Sequence, residues 1–259
     1  MNSFEYKVPT FPQGPLKREM LLVLRDIAMD SDSTRYHGYS NGIIEGCAVI
    51  EEGMRIGVGV GTVKYADRLY RLKENSLLPY EPTEDWSVLK LRFSPQTRHS
   101  EYDHFTAELA LDADTHIQAN EMELGRFKLK SGSRLRTEYT DFRDMSTEFD
   151  TVNLVHTLYA ARDTATLNPA ITLHFAREAY KFAGTNPLDA AFCTACLSTN
   201  DAVGRELIAR YTCTRLGWEY REMSNTELHS ALADVLDLIS GHGQGSETDD
   251  SDGGVLVIY

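Results

Sequence analysis

Apolar and polar residues alternate with period two along the first half of the chain and recur at three- and four-residue spacing along the second, and the change falls near residue 140. The alternation is clearest between Gly42 and Leu72, where runs over 42–50, 54–63 and 68–72 predict strands. In the middle run Ile56, Val58, Val60 and Thr62 share one face, and Gly57, Gly59 and Gly61 share the other. Glycine weakens a strand interior by roughly 0.5–1 kcal/mol relative to alanine, so a bare-backbone face predicts that another backbone or ring lies against it. Further strands follow at Trp86 to Phe93, Phe105 to Leu111 and Met122 to Leu129, the last with a bulge expected at Gly125. Glu51-Glu52-Gly53 and Tyr65-Ala66-Asp67 read as hairpin turns. Six short strands between Gly42 and Lys130 predict a small antiparallel sandwich or barrel.

Before the strands, residues 1–14 contain prolines without periodicity and read as an arm. Leu16, Met20, Leu24 and Ile27 then predict a helix from Pro15 to about Met29, followed by a Ser-, Asp-, Tyr- and Gly-rich loop over 30–42. Past residue 140 the helix punctuation is explicit. Asn168-Pro169 and Asn186-Pro187 each place a capping side chain before a proline in the first helical position, and Gly184 is read as closing the first of these helices. Ser224-Asn225-Thr226-Glu227 is a capping box, and Gly241 is placed to end its helix. With Thr147 to Ala161 and Asp201 to Leu216 added, five helices are expected. The fold class is therefore α+β: an arm and helix over 1–41, an antiparallel β-domain over 42–135, a helical bundle over 140–240 and an acidic tail over 241–259. That tail reads as a flexible linker ending in Val255-Leu256-Val257-Ile258-Tyr259, an apolar run suited to adding a strand to a sheet edge, in this chain or a partner.

Composition narrows the function classes. The 259 residues are 42% hydrophobic and 25% charged, as in folded globular proteins, with a formal net charge of -13. That balance argues against a large phosphate-binding surface, so no nucleic-acid partner is expected. No apolar run approaches the roughly 18 residues of a membrane span, and the opening residues do not read as a secretion signal, so the expectation is a chain made in a cytoplasm without membrane insertion. Cys47, Cys193, Cys196 and Cys213 are too scattered for a disulfide framework. Cys193 and Cys196 have half a zinc-site spacing without a second pair, so they are expected on an inward helix face.

No phosphate loop, nucleophile elbow, zinc-peptidase helix or calcium loop occurs, and the Gly-rich run at 57–61 continues into a hairpin where a dinucleotide loop would open a helix. Neither cofactor nor small-molecule substrate is expected. Asp141, Asp144, Glu148 and Asp150 could form an acid/base or metal cluster. With Arg126, Lys128, Arg134, Arg136 and Arg143 close in sequence, an ion-pair network at a domain junction is the expected arrangement. His174, alone on an apolar helix, reads as a packed residue.

Gly42-Ile43-Ile44-Glu45-Gly46-Cys47, then Gly53-Met54 and the hairpin from Val58-Gly59-Val60-Gly61 to Leu69-Tyr70, resembles the small β-domain near the start of bacteriophage tail and baseplate proteins. Ala66-Asp67-Arg68 stands where that family has a glycine turn. The runs Glu123 to Leu129, Leu135 to Phe142 and Thr147 to Asn153 are similar to an uncharacterised family encoded in prophages of Clostridia-type gut bacteria, within tail-morphogenesis regions. The two resemblances together cover most of residues 35–217. Some members of the second family carry a helicase label, to which this chain brings neither a phosphate loop nor a basic channel.

The resemblance implies a non-enzymatic structural part of a phage tail, baseplate or tail tip, synthesised in a bacterial cytoplasm and assembled into a virion or tail-like particle. Its implied partners are other tail proteins and further copies of itself. Gly57, Gly59, Gly61 and Val255 to Tyr259 are the interface residues expected on this reading. The rival readings are a tail-assembly chaperone or regulator and, behind it, a carboxylate-metal hydrolase.

Overall fold

The computed structural model describes residues 17–98, 103–182, 186–199 and 201–241. The expected arm over 1–14, the segment after Gly241 and Gly184 lie outside them. The fold is α+β, with antiparallel sheets preceding a helical bundle. The first helix, α1 (Arg18–Tyr36), runs beyond the expected end at Met29 and takes in much of the expected loop.

Eleven short strands follow among the described residues: β1 (Gly42–Gly46), β2 (Val49–Glu51), β3 (Arg55–Val58), β4 (Gly61–Tyr65), β5 (Arg68–Leu72), β6 (Ser76–Pro79), β7 (Trp86–Phe93), β8 (Thr97–Arg98), β9 (Asp103–His104), β10 (Ala107–Asp112) and β11 (Glu121–Lys128). They form antiparallel sheets ordered β1-β4-β5, β2-β3-β6 and β10-β7-β11, with β8-β9 as a separate ribbon.

The expected single strands over 42–50 and 54–63 are each broken in two, and the breaks face each other. Residues 42–65 make one long hairpin that turns at Gly53–Met54 and bends midway. At the bend Gly46 and Cys47 take positive φ of 65° and 53°, while the Gly59 amide donates to Ala48 O and the Cys47 amide to Val60 O. The chain thus leaves one sheet and enters the next, the manner in which strands form the corner of packed sheets. Val60, at the corner, is 55% exposed instead of continuing the face of Ile56 and Val58.

The expected hairpin at Tyr65–Asp67 forms as a two-residue turn with Ala66 and Asp67 both at positive φ. The bulge appears as a register shift between Glu123 and Gly125, opposite Lys90 and Leu89. β7 lies between β10 and β11 and is buried on both faces, so Lys90 is only 1% exposed. Its ammonium is ion-paired with Asp112 and Glu121, each at 3.2 Å, and donates to His116 O at 2.9 Å, as a buried charge requires.

In the second half a 3₁₀ turn (Arg143–Ser146) precedes α2 (Pro169–Ala179), α3 (Pro187–Ser198), α4 (Arg205–Leu216) and α5 (Asn225–Ser240). The caps act as expected. Asn168 Oδ1 accepts from the Ala170 amide, Asn186 Oδ1 accepts from the Leu188 amide, Ser224 and Glu227 close a capping box, and Gly241 ends α5 with φ 78°. The α4 helix begins after Gly204, later than Asp201. Its own C-cap is Gly217, at φ 70°.

Thr147 to Ala161 is not a helix. The segment is extended and edges both halves of the molecule. The Arg126 amide donates to Asn153 O and the Asn153 amide to Arg126 O beside β11. The Ile43 amide donates to Leu158 O and the Ala160 amide to Ile43 O beside β1. On its other side Asn225 Nδ2, at the start of α5, donates to Val155 O and Thr157 O at 2.9 and 3.2 Å. This seam separates two apolar cores, one of sheet residues around Leu89, Leu124 and Phe127 and one of helix residues around Phe142, Phe175 and Leu232; Tyr139 packs on both.

Candidate functional site

The three expected interface glycines differ in what they meet. Gly57 is buried, and a Cβ built there would stand 1.8 Å from Ser76 O in β6. At Gly61 it would stand 2.4 Å from the Cys47 amide nitrogen. Both glycines therefore lie against backbone of their own chain. Gly59 has only ordinary contacts, the nearest being Asn75 Oδ1 at 3.6 Å. Val255 to Tyr259 lie outside the described residues.

The acidic run near the junction is held in ion pairs and turns, as its neighbouring cations imply. Arg136 donates from both terminal nitrogens to the Asp144 carboxylate at 3.0 Å, a bidentate pair. The same carboxylate accepts from the Thr140 amide and hydroxyl at 3.0 and 3.2 Å. Burial pushes the Asp144 carboxyl up, but Arg136 and Thr140 outweigh it and hold its pKa below the usual value. Asp141 accepts from the Asp144 amide, Asp150 from the Lys130 amide, and Glu148 pairs with Lys128 Nζ at 2.8 Å. Arg143 pairs with Asp237 on α5, linking the 3₁₀ turn to the last helix. Among the described residues no group of three or more His, Cys, Asp or Glu side chains could hold a metal ion.

Cys193 and Cys196 are buried in the helical core, at 0% and 3% exposure, on the inward face expected of them. Burial raises their thiols to about 11 and about 12, so neither is a thiolate near neutrality. His174 is partly buried, with Nδ1 3.0 Å from Glu178 one turn on.

His229, in α5, is 6% exposed and stacks on Phe142 with ring centroids 4.6 Å apart. Burial lowers its pKa to about 4, with a hydrogen bond to the Phe142 backbone opposing and Arg143 assisting. Between about pH 6.5 and 4 the unfolded chain therefore binds a proton that the folded chain refuses. Stability is expected to fall as pH drops through that window, with no further loss from this group below it. Urea unfolding at several pH values checks this, and His229→Leu should flatten the slope.

Two surfaces remain open. The first is α1, whose Leu21 and Leu24 are 50% and 38% exposed and which makes no extensive contact with another element among the described residues. The helix is held at its C-terminal end, where the buried Lys64 ammonium donates to Tyr36 O at 2.8 Å and Tyr39 O at 2.6 Å. The second is a groove of about 970 Å³ between β5 and β10, floored by Val58, Leu72, Leu91 and Leu109 and rimmed by Arg68 and Arg71.

No known family and no curated protein matches the chain. Among solved structures it is similar to a chain of the type VI secretion system TssK-TssF-TssG baseplate subcomplex, seen by cryo-electron microscopy. There the identity is 10% over 90% of this chain and 100% of that one, with a TM-score of 0.42. It is also similar to TssK in its crystal structure, with 8% identity over 98% of this chain and 73% of that one and a TM-score of 0.36. Identity at this level transfers no residue role.

Sequence reasoning missed both open surfaces for a physical reason. The α1 stripe predicts a buried face, yet among its described members Leu24 is exposed and Met20 only half-buried. The groove is lined by strands that are far apart in the chain. Among the described residues no helix is long and apolar enough to cross a membrane.

Proposed function

We propose that this chain is a structural component of a phage or phage-like tail baseplate or tail tip and works by protein–protein assembly, without a cofactor or a reaction of its own. The observation that carries this reading is α1. Most helical stability in proteins comes from burying one side, yet none of the described side chains of this 19-residue helix is fully buried and Leu21 and Leu24 are exposed. These two are 50% and 38% exposed, and covering what remains open gains a share of the about 1.5–3 kcal/mol that full burial of such a side chain brings. A helix tethered at one end with uncovered leucines is suited to a neighbouring subunit. The resemblance of Gly42 to Tyr70 to the β-domain of tail and baseplate proteins supports the kind of neighbour, another baseplate protein or a further copy.

Sedimentation of the purified chain, alone and mixed with the tail proteins encoded beside it, tests the proposal. Defined oligomers or co-assemblies are expected, and Leu21→Glu with Leu24→Glu should weaken association at least a hundredfold while leaving the circular dichroism of the sheets unchanged. A strictly monomeric protein absent from purified particles would count against it. The chaperone alternative predicts association but absence from finished particles, which mass spectrometry of those particles decides.

A further inference from the structure

The groove between β5 and β10 is bordered by two strands that each have one ladder partner among the described residues, β4 for β5 and β7 for β10; β10 also lies against β6, which leaves the far edge of β5 as the open one. Open edges of this kind template strand addition. The floor is apolar, from Leu72, Leu91 and Leu109. The rim is basic in a chain whose net charge is -13: Arg68 stacks over Phe105 at 4.0 Å, and both Arg68 and Arg71 are exposed. The buried Lys64 ammonium and Asp67, which also line the groove, lie 3.5 Å apart.

One segment of the chain matches every term of that description. Val255 to Tyr259 is five apolar, β-prone residues, the length of β5, and it follows Glu247, Asp249, Asp250 and Asp252 after Gly253-Gly254. The 13 residues between Gly241 and Val255 span up to about 45 Å when extended. A folded chain of this size has a radius of gyration of about 18 Å, so that reach covers most of the molecule.

We propose that Val255 to Tyr259 adds as a strand to the open edge of β5 in the same chain, with its apolar side chains on the groove floor and the acidic residues before it against Arg68 and Arg71. Backbone hydrogen bonds supply the affinity in this mode, and the pockets between alternate side chains supply the selectivity.

Hydrogen exchange on the full chain tests this, comparing the natural sequence with Val257→Asp/Ile258→Asp and with Arg68→Glu/Arg71→Glu. The β5 amides that point away from β4 are expected to be protected in the natural chain and to exchange at least tenfold faster in both variants, with β7 and β11 unchanged. Exchange at β5 that ignores both pairs of substitutions would overturn the proposal. Protection that grows with protein concentration would overturn it too, by making a second copy the occupant. A peptide of residues 247–259 added to the Val257→Asp/Ile258→Asp chain should restore the protection. Failure to do so at millimolar peptide would count against the site even if the variants behaved as expected.

Discussion

Gly57→Ala is expected to cost about 4 kcal/mol of stability and to lower the melting temperature by about 8–16 °C, whereas Gly59→Ala, two residues along the same run, should be close to neutral. The difference lies in what each new methyl group would meet. At position 57 it would stand 1.8 Å from Ser76 O, a backbone atom paired into β6 that cannot swing away as the end of a side chain could. To admit it, β3 and β6 must separate along their register, which disturbs the buried neighbours Ile56 and Val58. At position 59 the nearest atom is Asn75 Oδ1 at 3.6 Å, an ordinary contact. Thermal unfolding of the two variants side by side checks the prediction, and equal melting temperatures would refute it.

Asp144→Ala is expected to cost about 3 kcal/mol. Removing this carboxylate leaves the Thr140 amide and the Thr151 hydroxyl short of an acceptor, and it unpairs Arg136. Because the Arg136 side chain is 44% exposed, water takes up part of that loss, which keeps the figure below that of a fully buried pair. Since Asp144 has its pKa held below the ordinary carboxylate value, its contribution is present above the unfolded value near 3.9 and is lost as pH falls through the folded value. The gap between natural chain and variant should therefore narrow in acid below about pH 4. Chemical unfolding at pH 7 and pH 3 measures both effects. Asp144→Asn, which retains one acceptor oxygen, should fall between the two.

Much of the local structure was legible in the residues. The caps at Asn168, Asn186 and Ser224, the hairpin at Ala66–Asp67, the bulge before Gly125 and the strand Trp86–Phe93 are short-range features, set by which backbone conformations and hydrogen bonds a few neighbouring residues allow. The buried cysteines and the paired acids at 141–150 were legible for a similar reason, since residue type and nearby charge sufficed. The segment Thr147 to Ala161 was not. Phe149, Val152, Val155 and Tyr159 recur near helical spacing, but Thr151 to Val155 are all buried, and a continuous buried run carries no period that separates helix from strand. Its extended form depends on β11 and β1 offering edges to it and on Asn225 reaching its carbonyl groups from α5.

The glycine run shows the same division. Its pattern predicts that something lies close against Gly57, Gly59 and Gly61, and the structure places backbone against Gly57 and Gly61 but not against Gly59. That the something is β6 and the Cys47 backbone of the same chain, and that the strand bends at Gly59–Val60 to join two sheets, follows from pairings between residues 15 to 24 positions apart. Alternation, caps and turns are written in neighbouring residues and determine the elements. Which edges remain open, which leucines stay uncovered on α1 and which strands border the groove depend on long-range packing, because exposure is a property of the whole arrangement and no short stretch of chain contains it.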